Sequence, residues 1–347
     1  ALPILLQTRE TELVGRYRSG VRIILGLLSF LPLAPSHLGS GDSVLPRNTE
    51  SVIQSVVPAF PDGVSADIIG GDTFVRLQAS NHSIAVPGYE GEPYLRFERN
   101  GEVFINDASP TTALNGDRYG NVDMSAFVKG AEVNWRRIAT NGTAMWHDHR
   151  VHWMSPKPPA PIDEAGTVLT WKVPILIDNV PTIISGTLYL RHQASMAWWL
   201  IGMVALLLAV ALTLARSRIL HIALLAVAMV GVVVGTMQLL GLPTGARITP
   251  LLLMFSMGAA LMGTATLFVA RTTKVPQYVA LAMQAGIGAT FVVCAWLCFD
   301  QVRAAYVPGV GPTWIVRSLV PVMLGMGVVS MIDGVMRVVR DTAVTSD

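Results

Sequence analysis

The segment TAMWHDHRVHWM, Thr143 to Met154, holds three of the chain's seven histidines, His147, His149 and His152, between Trp146 and Trp153. Neutral imidazole is a ligand for copper, zinc, iron or nickel, and an H-x-H pair on one strand face supplies two of the three or four bonds such an ion takes. The surrounding pattern predicts a strand, in which His147 and His149 point one way while Asp148, Arg150 and His152 point the other. His152 joins the pair only if the chain bends after Arg150, and Pro156, Pro158 and Pro159 mark where a ladder must stop. The competing use of the same residues is structural: imidazoles cross-linking the sheet by hydrogen bonds, tryptophans filling the core, and Arg150 pairing with Asp148 or a nearby Glu.

Two more histidines enter this chemistry. His82 is a further candidate ligand, and His37 becomes one through processing. Arg16, Arg18 and Arg22 precede the short apolar run Ile23 to Leu33 and the small residues Ala34 and Ser36, the order of a secretory signal. A stretch this short falls below the roughly twenty residues needed to span a bilayer. Residues 1–36 are therefore expected to be removed, and cleavage after Ser36 would leave His37 with a free amine beside its imidazole, a chelate suited to copper(II). Joined to His147 and His149, or to His82, it would form a brace. Copper or zinc is the ion these ligands call for.

Other chemistries find less support. The chain has no G-x-S-x-G elbow, and GGDTF and GYEGEP are turns by composition rather than phosphate loops opening a helix. Glu90 and Glu92 read as a solvated turn. Cys294 and Cys298, the only cysteines, share a helix face in an apolar segment, where they are packing residues or a weak soft-metal pair.

The elements that must position the histidines divide the chain in two. A mean hydropathy of +0.50 with 14% charged residues is too apolar for a soluble protein of 347 residues, so a lipid bilayer is the first expected partner. A net charge of +2, without a basic stripe, argues against nucleic acid. From about Gly41 to Arg191 short alternating runs such as DTFVRLQAS, EPYLRFER, GEVFIND, AEVNWRRIA, TVLTWKVPILI and SGTLYLRH read as about seven strands, with RNGE and DNVP as turns. That spacing predicts an all-β, sandwich-like domain over residues 37–192. Five apolar stretches follow over residues 196–340, each long enough to cross a membrane. Arg216 with Arg218, Arg271 with Lys274, and Arg337 with Arg340 fall on one side of them. By the positive-inside rule that side, with the tail at 341–347, is cytoplasmic and the β-domain is outside the cell membrane. GMGVV and GAALMG offer small residues for close helix contact.

The segments GYEGEPYLRF (Gly88 to Phe97), NDASPTTALN (Asn106 to Asn115), AMWHDHRVHWM (Ala144 to Met154) and VPILIDNVPTIISGTLYLR (Val173 to Arg191) resemble an uncharacterised family of actinobacterial-type multi-pass membrane proteins. The resemblance implies an exported β-domain on a helical membrane anchor and carries no activity with it. WHDH is also similar to the YHDH segment of multicopper oxidases, which maps onto His147 and His149. The other histidine motifs and the Cys ligand of those oxidases are missing, so oxidase activity is not implied. The sequence thus points to a membrane-anchored, extracytoplasmic metal-binding protein that handles or senses copper without turnover. The alternatives are an envelope scaffold that docks a partner protein, its histidines structural, and a metal-dependent membrane enzyme.

Overall fold

The computed structural model describes residues 46–126, 130–215, 218–241, 250–270, 275–309 and 311–344. The expected signal segment 1–36, and His37 with it, lie outside the described residues. An antiparallel β region over residues 49–190 precedes five apolar helices. Its strands are β1 (Thr49–Val57), β2 (Val64–Ile69), β3 (Phe74–Ala79), β4 (Ile84–Pro87), β5 (Pro93–Phe97), β6 (Val103–Asn106), β7 (Trp135–Ala139), β8 (Thr143–His147), β9 (Thr167–Ile177) and β10 (Val180–Leu190). One sheet has the order β1-β10-β9-β4-β5-β6-β7 and the other β2-β3-β8. Strand β9 shows how alternation builds the core: Trp171, Val173, Ile175 and Ile177 are buried, while Lys172, Pro174 and Leu176 between them are exposed. Those buried side chains join Val75, Leu77 and Trp146 of the smaller sheet in one apolar cluster, the sandwich-like arrangement expected. Asp178 and Asn179, both with positive φ (46° and 67°), close the β9–β10 hairpin, as a two-residue turn between twisted strands requires.

Two expectations are corrected. Strands β1, β2 and β4 add to those read from the sequence, and β8 ends at His147 instead of continuing to Met154. The chain turns at once, with the Val151 amide donating to the Asp148 carbonyl at 3.0 Å. The buried Asp148 carboxylate, which accepts from the Arg150 amide at 3.1 Å, holds that turn.

A short helix, α1 (Pro110–Leu114), lies within the β region. The helices α2 (Trp199–Leu214), α3 (Ile219–Leu240), α4 (Leu251–Val269), α5 (Gln277–Leu297) and α7 (Thr313–Val344) follow, with the short α6 (Asp300–Arg303) between the last two. Among the described residues, five spans are long and apolar enough to cross a membrane. α7 continues past Arg340, where a tail was expected. Large apolar residues such as Leu200, Met203, Leu207 and Leu208 are exposed on α2, whereas Gly202, Ala205 and Ala209 are buried. The small-residue contacts are tight: a Cβ on Gly325 would stand 2.1 Å from the Gly202 carbonyl oxygen, and one on Gly327 2.8 Å from that of Gly288. GMGVV is thus a packing segment, as expected, in a bundle whose helices approach through small residues.

The β region sits at the end of the bundle where α2 begins. Arg47 and Tyr306 form a β-bridge with N···O distances of 3.1 and 2.9 Å, and the Ala194 amide donates to the Arg303 carbonyl at 2.8 Å. At the opposite end, Arg337 donates to the Thr213 carbonyl at 2.8 Å.

Candidate metal centre

The turn after β8 assembles the site. His147 ends the strand opposite Phe74, Asp148 to Val151 reverse the chain, and His152 comes back onto His147. One ligand atom from each of His147, His149 and His152 lies within 4.8 Å of the others. His147 and His152 are buried and His149 is half-buried. The bend that His152 needed is therefore present, at Asp148 rather than after Arg150, and strand alternation is not what brings these side chains together. His82 stands apart in the β3–β4 connection, with Nδ1 2.6 Å from Asp178 Oδ2 and Nε2 3.1 Å from the Asp62 carbonyl oxygen. It is outside the triad.

The hydrogen bonds determine where the lone pairs are. His152 Nδ1 lies 2.9 Å from the Trp153 carbonyl oxygen, and His149 Nε2 lies 2.9 Å from that of Asp117. A carbonyl only accepts, so in the neutral rings these two nitrogens carry the protons. His152 Nε2 and His149 Nδ1 are then bare. His147 Nε2, 2.6 Å from His152 Nε2, must donate to it, leaving His147 Nδ1 buried with no partner. Zinc–imidazole bonds of about 2.0–2.1 Å would require the His147–His152 pair to open to roughly 3.3 Å.

Electrostatics keep the imidazoles in their ligand form. Burial first, then the neighbouring His152 and Arg118, lowers His147 from the ordinary histidine range to about 2. Burial and Arg118 lower His152 to about 4 against the opposing pull of the Trp153 carbonyl and Asp72. Burial also lowers His149, partly offset by its bond to Asp117. All three are neutral at pH 7, the form that binds a cation.

The walls come from segments distant in sequence. The Tyr89 hydroxyl accepts from the His149 amide at 2.8 Å and donates to Asn115 Oδ1, and the Tyr89 ring stacks on the His149 ring with centroids 5.9 Å apart. Glu92 is no solvated turn: it accepts from Ser109 Oγ at 2.8 Å and Thr111 Oγ1 at 2.6 Å, pinning the start of α1. Gly88 lies so close beneath that a Cβ there would come within 2.0 Å of Glu92 Oε1. Asp148 carries more than its turn, accepting from Trp146 Nε1 at 2.9 Å and from Arg150 Nε and Nη2 at 2.8 and 2.6 Å.

The charged wall was not anticipated. The buried Asp72 accepts from Thr49 Oγ1 at 2.7 Å, from Arg118 Nη2 at 3.0 and 3.1 Å, and from Arg47. Burial alone would raise this carboxyl, but Arg47 and Arg118 hold it below the usual range. No local motif links these residues, since Asp72 is 25 positions from Arg47 and 46 from Arg118.

No protein-family model, curated protein or solved structure matches the chain.

Proposed function

We propose that the protein is a membrane-anchored metal-binding protein that handles or senses copper through His147, His149 and His152. The observation that carries this reading is the convergence of three neutral imidazoles, with His149 Nδ1 and His152 Nε2 unprotonated and a buried, unpartnered Nδ1 on His147 able to take the proton that its Nε2 must lose to bind an ion. A structural knot needs only the single bond between His147 and His152; a third ring with its lone pair unused adds nothing to it. Copper or zinc suits neutral imidazole ligands, and titration with each separates them.

We further propose that the β region lies outside the cell membrane and the chain end inside. Supporting this are the basic residues Arg218, Arg337 and Arg340 near the bundle end opposite the β region. Reporter fusions at Asn141 and Ala343 are expected in opposite compartments, and activity of both on one side would end this topology.

The direct test is a titration of the full chain in detergent with copper and zinc. Wild type is expected to take up one ion. His152→Ala alone, like the His147→Ala, His149→Ala double variant, is expected to weaken binding by more than the roughly 10–100-fold that loss of an outer hydrogen-bond partner of a ligand costs. No uptake by wild type, or equal uptake by folded variants, would return the histidines to a structural role and the β region to a scaffold.

A further inference from the structure

We infer that the end of the bundle facing the β region binds the phosphate of a membrane phospholipid, through Arg317 of α7 and Arg303 of α6. The inference rests on the membrane reading and is independent of the metal.

The starting point is where Arg317 lies. It stands in the first turns of α7, inside a segment apolar enough to cross a membrane, and it follows Trp314 by three residues, so the two share a helix face. Trp314 is exposed, as are Trp296 at the end of α5 and Phe299 just before α6. Aromatic side chains gathered at one end of a bundle mark the depth of the lipid headgroups. A guanidinium stays charged there, and a charge within a span calls for a partner.

The protein supplies that partner only in part. Arg317 donates through Nη2 to the Ala304 and Ala305 carbonyls, at 2.7 and 3.2 Å, while its Nε is buried without a hydrogen-bond partner. The carbonyls orient the guanidinium and leave its charge uncancelled. Arg303 immediately precedes the two residues that Arg317 grips, and its side chain makes no hydrogen bond or ion pair with a described residue, its Nε again being buried. Asp300, at the start of the same short helix, pairs with neither arginine, and Glu50 is taken by Arg191. Phe299, four residues before Arg303, stacks on Trp199 with ring centroids 5.0 Å apart, and the Trp199 Nε1 is a further buried donor without an acceptor. This end of the bundle therefore gathers donors and positive charge around the Phe299–Ala305 segment. The opposite end shows the alternative, where Arg337 has Asp333 as its counter-charge on the same helix.

An oxyanion answers both needs, since a guanidinium fork matches phosphate oxygens in geometry and charge. The exposed apolar side chains of Trp296, Leu297 and Trp314 at the same end offer a seat for acyl chains, which selects a phospholipid over a free ion.

The experiment uses the full chain in a maltoside detergent. It is titrated with dioleoyl phosphatidylglycerol, with a phosphate-free glycosyl dioleoylglycerol and with inorganic phosphate, following the melting temperature and, by native mass spectrometry, the lipid retained. Phosphatidylglycerol is expected to raise the melting temperature and to stay bound, and the other two to do neither. Arg317→Gln and Arg303→Gln are each expected to weaken phosphatidylglycerol binding about fivefold, the size of one basic residue's attraction to an anionic membrane surface. Arg317→Lys, which keeps the charge without the fork, should retain part of it. No response of wild type to phosphatidylglycerol would overturn the inference. So would an equal response to the phosphate-free lipid, which shows an apolar seat indifferent to the headgroup, or to inorganic phosphate, which shows an ion site without lipid. These arms are read on wild type and decide even if the variants fail to fold. Wild type that remains in solution without detergent would instead remove the membrane reading, and this inference with it.

Discussion

The β region and the helical bundle both set carboxylates against arginine, and they use them differently. In the β region Asp72 and Asp148 are fully enclosed, each against arginine, and between them they shape the wall and the turn around the histidines. In the bundle Asp333 is partly exposed near one end, where it accepts from Gln284 Nε2 at 3.0 Å and Arg337 Nε at 2.8 Å, and Arg337 goes on to the Thr213 carbonyl. At the other end Gln238 donates to Gln301 at 2.8 Å. The helices between are joined through Gly202, Gly288, Gly325 and Gly327. Buried charge makes a pocket in the first region and ties helix ends in the second, where an unpaired polar group has no water to fall back on.

The sharpest way to break this contrast is Asp148→Ala. It leaves Arg150 without its partner and removes the acceptor for Trp146 and the turn, so a loss of about 3–5 kcal/mol in stability is expected, together with loss of metal uptake. A chemical or thermal unfolding curve near wild type would show that Asp148 does not hold the turn.

Acid is expected to act next, through the histidines of the β region. His147 and His152 are held below the ordinary value of 6.5, chiefly by burial, so the unfolded chain takes up protons that the folded chain refuses. Stability is therefore complete above about pH 6.5 and falls as the pH drops toward 4, by up to about 1.4 kcal/mol per pH unit for each of the two. Bound metal should persist below pH 6.5, the point at which an ordinary imidazole would begin to release it. Melting temperatures across this range, flat in the metal-free protein, would contradict the enclosure of the triad.

Asp333→Ala tests the bundle's side of the comparison. Interhelical polar contacts in membranes contribute about 0.6–1.7 kcal/mol, so a loss of that size is expected, with metal uptake unchanged. A cost equal to that of Asp148→Ala would erase the distinction. The smallest effect belongs to His82→Ala: its pair with Asp178 is partly exposed, so little stability is expected to be lost. Metal affinity that fell with it would bring His82 back as a ligand.

The sequence was readable where one face of an element repeats. β9 was legible residue by residue because its buried positions alternate without interruption, and the five spans because apolar length alone marks them. β2 and β4 were not: VSADII carries Asp67 in mid-strand, paired with Arg76 across the sheet, and IAVP is too short to show a period. The triad was visible as composition, yet the strand rule placed His152 on the wrong face, because the side chain that bends the chain, Asp148, looks in sequence like one more alternating polar residue. Arg47, Asp72 and Arg118 form a wall through pairings that no spacing announces.

Arg47 ties that wall to the helical bundle. Its side chain reaches Asp72 while its backbone bridges Tyr306 in the loop leading into α7, and Arg317 in the first turns of α7 donates to the Ala304 and Ala305 carbonyls at 2.7 and 3.2 Å. The direct run of chain from β10 into α2 is a second attachment. Two tethers at separate points remove the swivel that a single linker would allow, so the histidines are carried at a set height and bearing over the bundle. Arg47 thus joins Asp72, through its side chain, to the loop at Tyr306, through its backbone, so the wall of the pocket and the head of the bundle share one residue.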